Sequence, residues 1–133
     1  MKVIHIICRM DEKTNRPLGI SPIDVKTNRY MSCCWDFDIE EMEQLIGGMI
    51  FFHRTKTQKS YLGGVVHKVH PIDMNQSYDG PYYTPNKDDV GKRSDRIMFE
   101  FEITKEAREP TNWRGSKHSM SYYSGVVDTE EIV

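Results

Sequence analysis

The chain has 133 residues, a formal net charge of −2, 38% hydrophobic residues and 29% charged residues. That length supports one domain, spanning residues 1–133, with a core large enough to need no staples. The charge balance excludes a global cationic field, so any contact with a polyanion has to come from local patches. No apolar run approaches a membrane span, so no membrane partner is expected. Residues 1–9 lack the apolar stretch and small-residue cleavage site of a secretory leader. Three cysteines, with Cys33 and Cys34 adjacent, give neither a disulfide framework nor a Cys-x-x-Cys zinc spacing. A reducing cytoplasm is the expected compartment.

Residues 2–8 are apolar or β-branched at nearly every position, the composition of a strand buried on both faces. Residues 11–29 are rich in Pro, Asn, Asp and Lys and read as a long loop, with a helical turn after Ser21-Pro22, since Pro suits a first helical position. Asp38 then caps a helix. Glu41 stands at the capping-box position, and Phe37 before the cap is placed to staple against Met42. Ile39, Met42, Leu45 and Ile46 share one face of that helix, and Gly47 supplies a left-handed stop.

Residues 49–54 read as a second strand and residues 61–69 as a third, joined by an open basic loop with no turn-specific dipeptide. Gly63-Gly64 inside the third strand implies a bulge or a close backbone approach. Pro71 is expected to end that strand by removing a ladder donor. Residues 73–94 form a long polar connection carrying Tyr78, Tyr82 and Tyr83. Residues 96–103 alternate, with Ile97, Phe99, Phe101 and Ile103 on one face, as a half-buried strand does. The segment around Trp113-Arg114-Gly115-Ser116 reads as loop, and Val126-Val127 as a short last strand.

The chemistry is harder to read than the elements. His67 and His70 end on opposite faces of a strand and cannot share an ion, so no metal and no cofactor are expected. His53-Arg54-Thr55 matches half of the paired His-x-Thr signature of two-histidine phosphodiesterases, whose chemistry needs a second such motif for acid and base; none is present. Neither Cys33 nor Cys34 carries the signals of an activated nucleophile. What remains is a set of aromatics at element ends, beside three basic clusters: residues 53–59, Lys92-Arg93 with Arg96, and Arg114 with Lys117 and His118. Aromatic faces interleaved with cations are what base stacking requires.

Trp35, the helix of residues 38–46, the run Gly48-Met49-Ile50-Phe51-Phe52-His53 and the run Tyr61-Leu62-Gly63-Gly64-Val65-Val66 through Pro71 together resemble the PUA-like superfamily, in its EVE and ASCH branches. The resemblance implies an α+β fold, a small, partly open β-barrel flanked by one or two helices. It also implies recognition of RNA or of a modified, flipped base in DNA. Carried onto this chain, the ligand pocket would be lined by Trp35, Tyr61, Trp113 and Arg114, with His53, Arg54, Lys56 and Lys59 on phosphate. The insertion at 73–94 and the segment 113–116 depart from the family pattern.

The leading expectation is therefore a non-enzymatic nucleic-acid-binding module. The alternative is a binder of a small signalling nucleotide using the same groups. An ASCH-type hydrolase built on Lys56 or Glu102 comes third. All three rest on one spatial expectation, that Trp35, Trp113 and the loop 54–59 border a single cavity.

Overall fold

The computed structural model describes residues 1–73, 95–114 and 122–128. The insertion at 74–94 with its three tyrosines and Lys92-Arg93, the residues Gly115 to His118, and all but the start of the acidic tail lie outside the described residues. Among the described residues, seven strands form one mixed sheet: β1 (Lys2–Ile7), β2 (Ile20–Asp24), β3 (Arg29–Trp35), β4 (Met49–His53), β5 (Leu62–Asp73), β6 (Asp95–Glu102) and β7 (Val127–Asp128). Their order is β2-β3-β6-β5-β4-β1-β7. Two short helices accompany them, α1 (Ile39–Glu43) and α2 (Lys105–Arg108). The domain is α+β, as expected, but the sheet is open, with β2 and β7 as its edges. It bends enough that Ile20 and Tyr30 near one edge pack on the same core as Ile4 and Ile6 near the other.

Every pairing is antiparallel except β1 with β4, which run parallel with Ile7 opposite His53. Side chains alternate between faces along a strand. Ile4 and Ile6 of β1, Ile50 and Phe52 of β4, Val66 of β5, and Ile97, Phe99 and Phe101 of β6 fill the inner face, which Met42 and Leu45 close from α1 and the turn after it. The outer face is also buried where β1 and β4 meet, for His5 and His53 are 0% exposed and Phe51 only 6%. The segment from α2 to Arg114 supplies this second cover. It seats closely because Gly63 has no side chain: a Cβ there would collide with the Ala107 carbonyl, and one at Gly64 with the Phe101 ring. The double glycine is thus the close approach its sequence implies. A reciprocal clamp ties the cover down, with Ser60 N–H donating to Thr111 O at 2.8 Å and Thr111 N–H to Ser60 Oγ at 2.9 Å.

Several elements differ from their sequence expectation. Residues 20–24 are a strand rather than loop, and β3 carries no strong alternation yet pairs along β6. Pro22 is tolerated because β2 is an edge strand. β5 runs through Pro71 to Asp73 instead of stopping: beyond Val66 it is paired, among the described residues, on the β6 side alone, so a missing N–H costs no second ladder. Asp38 caps α1 by accepting from Glu40 N–H at 3.2 Å, and Gly47 takes φ +87°. The helix ends at Glu43, however, and the turn beyond it leaves Ile46 53% exposed. Cys8 is a buried free thiol and Cys33 is disulfide-bonded. Among the described residues no helix is long and apolar enough to cross a membrane.

Candidate functional site

The expected single pocket resolves into three separate aromatic settings. Trp35, at the end of β3, stacks on Phe37 at 5.7 Å and on Tyr122 at 6.0 Å, and its indole N–H donates to Ser32 Oγ at 2.9 Å. Those contacts fasten the end of β3 to the chain's final segment. Trp113 is 5% exposed and packs on the imidazoles of His5 and His53, at 5.7 and 5.2 Å between ring centroids. Tyr61 borders a sizeable cavity. Trp35 and Trp113, expected to line one pocket, stand in different packing environments, Trp35 half-buried and Trp113 buried.

His53, expected on phosphate, lies inside the fold. It is fully buried, with its Nδ1 2.9 Å from the Gln58 carbonyl and its Nε2 2.8 Å from Nδ1 of His5. A carbonyl can only accept, so His53 carries its proton on Nδ1. Burial lowers the pKa of His53 and, first among the causes, drives that of His5 down to about 3. Both rings are therefore neutral. Nε2 of His53 must accept, Nδ1 of His5 must donate, and Nε2 of His5 is left with a bare lone pair. That nitrogen is buried and has no hydrogen-bond partner.

The remaining predicted cations stand near these rings. Arg54 lies over the Tyr61 ring at 5.9 Å and Lys56 over the Trp113 ring at 5.8 Å, both within cation–π range. Arg114 is exposed and lines a smaller cavity beside His5. Lys59 is exposed in the loop between β4 and β5. Glu102, the acid of the hydrolase reading, is engaged elsewhere, 3.7 Å from Arg29 Nε and 3.4 Å from His67 Nε2.

The larger cavity measures about 500 Å³ and is lined by Arg16, Ile20, Tyr30, Tyr61, Leu62 and Ile103, among others. Tyr61 is fixed in it, its hydroxyl donating to Cys8 O at 2.8 Å, and burial raises its phenol pKa. Because β1 and β4 are parallel, the loops that follow them leave from the same end of the sheet. The first brings Arg9, Lys13 and Arg16; the second brings Arg54, Lys56 and Lys59. Cys8 N–H donates to His53 O at 2.9 Å, joining the two loops at their roots. Of the acids in this region, Asp11 turns its carboxylate onto the backbone N–H groups of Lys13 and Thr14 at 2.8 and 3.3 Å.

Sequence reading missed Tyr30, Arg16 and His5. Arg16 fell in a stretch read as loop, Tyr30 just beyond it where no element was expected, and His5 in a strand where a polar residue offered no pattern. A cue for His5 was the single polar position in an otherwise apolar run. Among the described residues no cluster of three or more His, Cys, Asp or Glu side chains is placed to hold a metal ion. Comparison of the chain with known protein families, with curated proteins and with solved structures yields no match.

Proposed function

We propose that this chain is a nucleic-acid-binding module of PUA-like character that takes one base into the cavity between Tyr30 and Tyr61. The observation that supports this reading most is the placement of two cationic loops at the end of the sheet where Tyr61 borders a void of about 500 Å³. That volume lies in the range of small-molecule sites and has room for a base with its sugar. Tyr30 and Tyr61 offer aromatic surface, and each stacked base contributes about 1–3 kcal/mol. Arg16 and Arg54 flank that surface, while Lys56 and Lys59 extend the charge along the outer loop. With a net charge of −2 on the whole chain, this local concentration is what a phosphate backbone would meet.

Fluorescence anisotropy with a short single-stranded oligonucleotide, RNA and modified DNA in parallel, tests the reading. Binding at low salt is expected to weaken steeply as salt rises. Tyr61→Ala should weaken it by about tenfold or more, whereas Tyr61→Phe, which keeps the ring, should retain it. Arg54→Gln should reduce the salt slope by about one phosphate equivalent. Absence of binding to every polymer at low salt would sink the proposal. A melting temperature raised by mononucleotides alone would move the assignment to the small-nucleotide reading.

A further inference from the structure

The cavity beside Tyr61 is unevenly equipped for hydrogen bonding. Its wall is mostly aliphatic, with Met10, Ile20, Val25 and Leu62 in it, and no carboxylate, amide, aliphatic hydroxyl or imidazole side chain lines it among the described residues. Three side chains there carry strong hydrogen-bonding groups, Arg16, Tyr30 and Tyr61. The Tyr61 proton is already given to Cys8 O. Side-chain acceptors are therefore confined to two phenolic oxygens, while Arg16 brings the five N–H donors of a guanidinium that stays charged at any working pH.

The backbone that presents Arg16 is well tied. Residues 10–17 form a hairpin closed by the Met10–Pro17 bridge and by Asp11 N–H, which donates to Arg16 O at 2.7 Å. Asn15 takes φ +55° near its tip, where the Asp11 carboxylate holds the next backbone N–H groups. The chain leaving the hairpin lies tight on β3: Cys33 N–H donates to Gly19 O at 2.9 Å, and a Cβ at Gly19 would collide with Cys33 O. The Arg16 side chain itself is exposed, and no acid or carbonyl among the described residues engages its guanidinium. A cation fixed at its root and uncommitted at its tip is available to a ligand.

We propose that the base taken into this cavity is guanine, read by Arg16 on the edge that carries O6 and N7. The inference rests on the nucleic-acid reading above and gives it a sequence preference. Guanine sets two acceptors side by side, the pair that a guanidinium fork meets with two parallel hydrogen bonds. Adenine carries an amino group where guanine has O6, so donor would face donor. Cytosine also turns an amino group to that side, and thymine or uracil offers one carbonyl there instead of two. Tyr30, itself stacked on Phe101 at 6.2 Å, and Tyr61 supply aromatic surface for the purine ring. The N1–H and 2-amino donors of guanine have the phenolic oxygens and water to meet.

Fluorescence anisotropy of the full chain tests the inference, on short strands of abasic residues that each carry one base at the centre. At low salt, guanine should bind about tenfold more tightly than adenine, cytosine or thymine, the value of one bidentate pair. 7-Deazaguanine, which lacks the N7 acceptor, should fall to the level of adenine. Hypoxanthine, which keeps O6 and N7 and lacks the 2-amino group, should keep its advantage over adenine. Arg16→Lys, which retains the charge and loses the fork, should bring guanine and adenine to within about twofold; if that variant binds nothing, the base analogues alone decide. The proposal is overturned if the four bases bind alike, if 7-deazaguanine matches guanine, if hypoxanthine binds no better than adenine, or if Arg16→Lys keeps the preference. Binding without base preference overturns this inference and leaves the binding module standing. Failure of every strand, ordinary oligonucleotides included, removes both.

Discussion

His5 is the residue through which pH reaches the fold. Its imidazole titrates near 3 when folded and near 6.5 when unfolded, so between those values the unfolded chain binds the extra proton. The stability due to the neutral ring is fully present above about pH 6.5 and is lost progressively as pH falls toward 3, by roughly 3–5 kcal/mol at the acid end. His53 adds to the same trend, since burial lowers its pKa too. In thermal melts recorded across this window, the wild-type midpoint should fall steeply with acid, and His5→Phe should flatten the slope while lowering the midpoint at neutral pH. An unchanged slope would show that His5 is protonated at little cost. Ser60 offers a second test at this scale. Ser60→Ala removes the acceptor for Thr111 N–H and should destabilise by about 1–2 kcal/mol in urea denaturation, loosening the cover over the histidine pair.

Helix α1 and strand β5 show how much of an element local chemistry writes. The cap at Asp38, the left-handed Gly47 and the apolar Met42 and Leu45 were all legible, and Asp38→Ala should cost about 1 kcal/mol by losing the Glu40 contact. The early end of α1 at Glu43 was not, because it depends on where Leu45 has to enter the core rather than on helix propensity. β5 makes the same point in reverse: Pro71 signals an end by its chemistry, and pairing on one side alone lets the strand pass. Gly64 is read correctly from both directions. Gly64→Ala places a methyl against the Phe101 ring and the Glu102 carbonyl, so a loss of about 1–3 kcal/mol is expected from overpacking, measured by the shift in urea midpoint at constant m-value. β2 and β3 escaped notice because edge pairing, with Pro22 and a bulge between Pro22 and Asp24, leaves no clean alternation to detect.

For the whole molecule, strands β1, β4, β5 and β6 were legible because burial on one or both faces leaves a dense apolar record. The candidate site was legible only in part. Tyr61 and Arg54 were named and do stand together; Trp35 and Trp113 were named and are occupied by packing, a distinction invisible to composition because a ring at an element's end reads the same whether it faces a ligand or its own fold. Arg16 joined the cavity from the loop after β1, and Tyr30 through the pairing of β3 with β2 and β6, relations between distant segments that no local pattern encodes. The order of those strands also has a temporal side. β1 is made before either of its neighbours: one flank waits for residues 49–53, and among the described residues the other is covered by the stretch from Tyr122 to Asp128. Until residues 122–128 are free of the exit tunnel, a nascent chain carries an apolar strand with an open hydrogen-bonding flank, the kind of edge that recruits like strands. Truncation before residue 122 should therefore yield aggregates rather than a soluble shortened domain, read by sedimentation of the translated product, and would make this protein a sensitive reporter of incomplete synthesis.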